Sequence, residues 1–245
     1  MSDLLVFIPA WNEAPSLPSV LDELAVSLPD ADLLVVDDGS TDGTPDIARD
    51  HGATVLSFEQ NRGLRAAIAA GYGYAEQYDY RFCGRVDGDG QHPAAELARL
   101  LDDVRSDRCD VAVGSRFVPA ADGGNDGYRL HGARRYGTAF MRGAMRALLR
   151  HGFNDPMSGM YAVNDKAIPL LARPYSSEAP EVEALLRISE AGLRLEEVPV
   201  HMRPRASGES KLRGRKAVGV VVTVAGALWM GRRLMMRDRK RWWQL

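Results

Sequence analysis

Two carboxylates, Asp87 and Asp89, stand two residues apart in the stretch Arg85-Val86-Asp87-Gly88-Asp89-Gly90-Gln91-His92-Pro93, directly after the mostly apolar run 80–86. A strand that ends in Asp-x-Asp sends both carboxylates off the sheet edge, where the chain turns. Carboxylates that close repel unless a cation lies between them or one is protonated. A hard divalent ion with oxygen ligands, Mg²⁺ or Mn²⁺, suits that arrangement, and such ions commonly also hold substrate phosphates. Residues 85–93 therefore read as a metal–diphosphate site at a strand's carboxyl end. Taken alone, the motif also fits an acidic surface turn.

The elements that must position this pair follow a regular order. Residues 4–8, 32–36, 54–58, 80–86 and 111–114 read as strands, and 17–27, 42–51, 64–78 and 94–105 as helices. Strand–helix alternation implies a mostly parallel sheet with helices on both faces. The strands are nearly continuous apolar runs, as buried parallel strands are. Ser16, Thr41 or Asp42, and Pro93 mark helix starts. After Phe117 the pattern loosens. Residues 119–128 read as a loop, 131–149 as a basic helix, 155–163 as strand or loop, 180–191 as a helix and 195–201 as a strand. The division is a catalytic domain, 1–212, and a basic C-terminal segment, 213–245.

With 245 residues, 45% hydrophobic and 26% charged, the chain suits one large α/β domain. Cys83 and Cys109 are too few for a disulfide framework and lack metal-ligand spacing, which predicts a reducing compartment and buried packing roles. The first residues show no basic region of a signal peptide, which predicts a cytosolic protein. The net charge of −2 conceals an asymmetry, because residues 203–245 hold twelve Lys/Arg against two acids. A basic tail on an acidic body suggests an anionic partner, nucleic acid or an anionic membrane. Residues 217–231 are an apolar run of 15 framed by basic residues. A helix of that length rises roughly 22 Å, short of the roughly 30 Å hydrocarbon core. Trp229, Trp242 and Trp243 among arginines fit a peripheral, interfacial segment; a helix packed on the domain is the alternative.

Ligands of open parallel sheets bind beyond the carboxyl ends of the strands. Strand one runs out into Pro9-Ala10-Trp11-Asn12-Glu13 and strand two into Asp37-Asp38-Gly39-Ser40-Thr41-Asp42-Gly43. Both converge with Asp87 and Asp89 on one crevice. Asp37 and Asp38 suit hydrogen bonds from a ribose or base, since carboxylates only accept. The Asn61-Arg62-Gly63 stretch precedes a helix start, a natural anion site and also a common helix entry. His92 reads as a neighbour of the metal rather than a ligand.

The ordered set FIPAWNE, VVDDGSTDGT, NRGLRAAIAAGY, VDGDGQHP and VGSRF resembles the family 2 glycosyltransferases of the GT-A fold. Asp155-Pro156-Met157-Ser158-Gly159 resembles the D-x-x-S-G segment of the dolichyl- or polyprenyl-phosphate mannose synthase-like branch. Glu181 and Glu183, then Glu197-Val198-Pro199 and Arg205-Ala206-Ser207-Gly208-Glu209-Ser210-Lys211-Leu212, resemble its E…EVP…R-x-x-G-x-S-K-L pattern. The resemblance runs from about Leu4 to Leu212. After Ser158 the chain departs from it, with Gly159-Met160-Tyr161 where relatives often carry an aromatic followed by Arg.

The resemblance implies roles. Pro9, Trp11, Glu13, Asp37 and Asp38, with Asp87, would hold the donor nucleotide; Arg62, from its place before the helix start, reads as a further donor contact. Asp87, Asp89 and Gln91 would hold Mg²⁺ or Mn²⁺. Arg205 and Lys211 would close over the phosphates, where a metal and a mobile basic clamp stabilise a nucleoside-diphosphate leaving group. Arg116, with Arg134 and Ser158, would face the acceptor; Arg116 reads equally as a salt-bridge arginine. Asp155 and Glu183 are candidates for a base, or else orient a loop and cap a helix.

The implied activity is an inverting hexosyltransferase moving a sugar from a GDP- or UDP-linked donor to polyprenyl phosphate at the cytoplasmic membrane face. A soluble, glycan or natural-product acceptor with the same donor chemistry is the second reading. A nucleotide- or nucleic-acid-binding protein is the third, and the full set of acidic donor motifs argues against a nucleic-acid partner. No G-x-G-x-x-G follows strand one, which disfavours a dinucleotide-binding dehydrogenase.

Overall fold

The computed structural model describes residues 2–118, 143, 153–177 and 179–203. Seven strands and six helices are named here: β1 (Leu4–Ala10), α1 (Leu17–Ser27), β2 (Asp32–Asp37), α2 (Thr44–Asp50), β3 (Thr54–Ser57), α3 (Leu64–Gln77), β4 (Phe82–Arg85), α4 (Ala94–Arg105), β5 (Val111–Ser115), β6 (Tyr161–Asn164), α5 (Ile168–Leu171), α6 (Pro180–Glu190) and β7 (Leu195–Pro199). The sheet order is β3-β2-β1-β4-β6-β5-β7. Every pairing is parallel except those of β6, which runs antiparallel between β4 and β5. The expected α/β class with a mostly parallel sheet is what the chain forms.

Strand alternation splits the core into two layers. Leu5 and Phe7 of β1 pack with Leu34, Val36, Ile68 and Tyr72 under α3. Leu4, Val6 and Ile8 pack with Leu21, Val35, Leu97 and Leu101 under α1 and α4. Both faces of β1 are therefore apolar, as a central parallel strand requires. Gly71 lets α3 approach closely, because a Cβ there would lie 2.3 Å from the Phe7 ring. Cys83 and Cys109 are free and buried, as expected.

Several boundaries differ from the sequence reading. α2 begins at Thr44 rather than Asp42, because Gly43 stands in the left-handed region (φ 80°) and breaks the helix there. Ser16 does not cap α1; its hydroxyl donates to Glu13. Pro93 sits just outside α4, with extended backbone. The 155–163 stretch is a turn that feeds the shorter strand β6, and α5 is a single turn that no periodicity signalled. The expected loop at 119–128, the helix at 131–149 apart from residue 143, and the segment 213–245 lie outside the described residues.

Candidate active site

The crevice opens because β1 keeps one neighbour longer than the other. Pairing with β2 continues to Ala10 opposite Asp37, whereas pairing with β4 stops at Phe7 opposite Arg85. The Phe7 carbonyl still receives the Val86 N–H on the β4 side. Alternation places the Pro9 nitrogen on that same side, past the last β4 partner, so its missing N–H leaves no ladder bond unmade. β4 then departs, and Asp87 and Asp89 leave the sheet between β1 and β6.

The tips of β1 and β2 are stitched together. Asn12, in the left-handed region at φ 55°, donates its N–H to Ser40 Oγ and accepts from the Thr41 N–H, both at 2.9 Å. The Glu13 N–H donates to Thr44 Oγ1 at 3.0 Å, and the Ala14 N–H to Asp42 at 3.1 Å. Thr44 donates to the other Asp42 oxygen at 2.5 Å. Trp11 stands on this rim and is 38% exposed. The loop after Asp87 rests against the same rim, since a Cβ on Gly88 would lie 3.4 Å from Glu13 Cγ.

Asp37 and Asp38 are both buried, and their carboxylates already organise backbone. Asp37 accepts the Ser40 N–H at 3.0 Å. Asp38 accepts the N–H groups of Arg62 at 2.6 Å and Gly63 at 2.9 Å, fixing the turn that leads into α3. Gly39 makes that contact possible. It has φ 70°, and a Cβ on it would lie 2.7 Å from the Gln60 carbonyl carbon. The Arg62 guanidinium lies over the Phe58 ring, 5.0 Å from its centroid.

Around the acidic pair the backbone is closely held. The Asp87 N–H donates to His92 Nδ1 at 3.0 Å, which places the proton of the neutral ring on Nε2. Burial pushes the His92 pKa down; Asp87 and Asp89 oppose this, and Arg85 and Arg116 add to it. Asp89 accepts the Gln91 N–H at 3.0 Å. The Gln91 side chain donates to the Arg203 carbonyl at 3.4 Å. Gly159, just before β6, packs closely against Asp87, where a Cβ would lie 2.5 Å from Asp87 Oδ2.

Among the described residues no group of three or more His, Cys, Asp or Glu side chains could by itself enclose a metal ion. Two hard carboxylates at an open strand end fit Mg²⁺ or Mn²⁺ that takes its remaining oxygens from a diphosphate and water.

The turn before β6 carries the remaining candidates. Asp155 is buried and forms a fork with Arg116, with Nε to Oδ2 at 2.7 Å and Nη2 to Oδ1 at 2.6 Å. It also accepts the Arg116 N–H at 3.1 Å. Ser158 closes the turn with its N–H on the Asp155 carbonyl, and its hydroxyl accepts from Met160. Glu183 accepts the N–H groups of Ser176 and Ser177 and the guanidinium of Arg187. In this structure Asp155 and Glu183 each hold backbone N–H groups and an arginine, and Arg116 is ion-paired to Asp155. Arg134, Arg205 and Lys211 lie outside the described residues.

Three residues went unassigned in the sequence. Glu197 of β7 accepts the N–H groups of Asn154 and Asp155 at 2.9 and 2.6 Å, seating the turn that presents Asp155. Arg85 and Glu181 form a buried ion pair at 3.1 Å beneath Asp87. The one signal for Arg85 was a charge inside an apolar strand, two residues before Asp87 and hence on its face.

Comparison with known proteins shows the family and the fold. Residues 5–168 match the sequence profile described as glycosyl transferase family 2. An undecaprenyl-phosphate mannosyltransferase of Micrococcus luteus is 32% identical over 244 residues, covering 94% of this chain and 97% of that protein. A polyprenol monophosphomannose synthase of Mycolicibacterium smegmatis is 31% identical, covering 86% of this chain and 81% of that protein. In fold, the chain is similar to glucosyl-3-phosphoglycerate synthase of Mycobacterium tuberculosis solved with Mn²⁺, UDP and glucosyl-3-phosphoglycerate. That similarity has a TM-score of 0.69 at 20% identity and covers 91% of this chain and 78% of that one.

Proposed function

The chain belongs to the family 2 glycosyltransferases, and from that premise we propose that it is an inverting hexosyltransferase acting on polyprenyl phosphate. The donor is a GDP- or UDP-linked sugar, and the reaction takes place at the cytoplasmic face of a membrane. The names of the two bacterial relatives support the acceptor class. Among the described residues no helix is long and apolar enough to cross a membrane, and the basic segment 213–245 is the proposed contact with the anionic surface.

The rim built from Pro9, Trp11, Glu13, Asp37, Asp38 and the Arg62 turn takes the nucleoside. Asp87, Asp89 and Gln91 are the proposed holders of Mg²⁺ or Mn²⁺. When bound, such an ion offsets the negative charge that grows on the departing diphosphate. Arg205 and Lys211 are proposed to cover the same phosphates, and Arg116, Arg134 and Ser158 to face the acceptor. An oxygen of the acceptor phosphate bonds to the anomeric carbon as the bond from that carbon to the donor diphosphate breaks. The nucleoside diphosphate leaves with the electron pair. The attacking oxygen is already an anion, so no proton has to move and no general base is required.

The observation that carries this choice of acceptor is the engagement of the two acids considered as bases. Asp155 is forked to Arg116, and Glu183 is held by Arg187 and two backbone N–H groups. A hydroxyl acceptor would need a carboxylate ready to take a proton. Polyprenyl phosphate does not. The test is release of nucleoside diphosphate from GDP-mannose, UDP-glucose and related donors with Mn²⁺. Release that depends on added polyprenyl phosphate supports the proposal. Equal release with dephosphorylated polyprenol or a soluble sugar acceptor would overturn it.

A further inference from the structure

We infer that Arg85 and Glu181 form a buried, charge-balanced pair whose task is to position Asp87 for a divalent cation without repelling that cation. The inference rests on the metal–diphosphate reading of Asp87 and Asp89.

Arg85 is the last residue of β4, and its side chain is 3% exposed. It faces Tyr161 across the antiparallel β4–β6 pair, with its guanidinium 5.9 Å from the centre of that ring. A cation in such a place is retained only with carboxylates beside it. Two are present. One is Glu181, whose Oε1 lies 3.1 Å from Arg85 Nη2. The other is Asp87, whose Oδ1 lies 3.5 Å from the same nitrogen. Burial works against the guanidinium charge, but Asp87 and Glu181 more than offset it and raise its pKa.

The arrangement solves a conflict. Asp87 needs a fixed carboxylate, and a buried arginine two residues earlier on the same strand face supplies it. Yet a lone buried positive charge beside a divalent-cation site would weaken binding there. Glu181, in the first turn of α6, cancels that charge and is itself favoured by the helix N-terminus. Arg85 Nε and the hydroxyls of Tyr161 and Tyr175 have no hydrogen-bond partner among the described residues, and Asp87 Oδ1 meets Arg85 Nη2 as an ion pair at 3.5 Å rather than through a hydrogen bond. The pocket therefore holds its charges by ion pairing and leaves several buried polar atoms without hydrogen bonds. A site built for stability alone is better filled with apolar side chains.

The test uses the full chain and Mn²⁺ with a nucleoside diphosphate, reading free Mn²⁺ by electron paramagnetic resonance and folding by thermal melting. Glu181→Gln should raise the Mn²⁺ Kd by about tenfold or more, because the Arg85 charge is no longer offset. In the double variant Arg85→Met/Glu181→Gln the charge balance returns, so the Kd should fall below that of Glu181→Gln, while staying above wild type because Asp87 is no longer guided. Turnover of that double variant should stay down by about thirtyfold or more, since Asp87 has lost its guide. An unchanged Kd in folded Glu181→Gln overturns the inference, as does wild-type turnover in the double variant. Should Glu181→Gln fail to fold, the double variant decides alone. Absence of Mn²⁺ binding in wild type would instead remove the metal reading and this inference with it.

Discussion

Gly159→Ala tests the contact between the turn before β6 and Asp87. The added Cβ would lie 2.5 Å from Asp87 Oδ2 and 2.9 Å from both Cγ and Oδ1. Carbons of this type do not approach within 3.0 Å, so the Asp87 carboxylate must retreat by at least about 0.5 Å. A misplacement near 1 Å costs catalysis about 10²-fold, so half that distance predicts a loss of roughly 10- to 10²-fold in kcat. The stability change should be small, about 1 kcal/mol, because Asp87 is 33% exposed and its ion pair with Arg85 is long, at 3.5 Å. Gly159 itself lies outside the left-handed region, so alanine is not strained there and the penalty falls on Asp87 alone. Gly73→Ala is the control: it lies within α3 with nothing inside 4 Å. It should be neutral or stabilising by about 1 kcal/mol, with wild-type turnover. The assay is nucleoside-diphosphate release at saturating Mn²⁺, alongside Mn²⁺ affinity and Tm. Wild-type kcat and Mn²⁺ affinity in Gly159→Ala would refute the reasoning.

Asp89→Ala should abolish turnover and Mn²⁺-dependent nucleotide binding while Tm stays within a few degrees; chelation of divalent ions should reproduce the loss in wild type. Asp155→Asn keeps the shape but removes the charge facing Arg116, so stability should fall by about 2 kcal/mol in urea titration. Turnover should fall with it, and a variant with wild-type activity would show that the fork is dispensable. Asp110 is held well below the usual carboxylate range, chiefly by Arg194, with Asn164 and Lys166 adding to this against the effect of burial. A depressed folded pKa means its contribution is complete above the unfolded value of about 3.9 and is lost as pH falls below it. Asp110→Asn should therefore be less stable than wild type at pH 7, with the difference shrinking below about pH 4. A difference constant with pH would contradict that linkage.

Much of the fold was legible because buried parallel strands and amphipathic helices carry distinct periods. The ranges 17–27 and 94–105 matched helices α1 and α4 to the residue. Asp87 and Asp89 announced themselves as two like charges where an apolar strand stops. The antiparallel insertion of β6 was not legible, since a four-residue strand, Tyr161-Ala162-Val163-Asn164, suits either direction and the choice depends on β4 and β5 flanking it. Nor was the α2 boundary, which depends on a left-handed Gly43.

Residue types and their order alone fixed the α/β class, the strand tips that meet and the acidic pair, because period and local charge repulsion act between neighbours in sequence. Only the tertiary structure decided which carboxylates are engaged. Asp155 meets Arg116 across 39 positions, and Glu181 meets Arg85 across 96. Such pairs form because the fold excludes water around one charge and leaves one opposite charge within reach, a condition that no local pattern in the chain records.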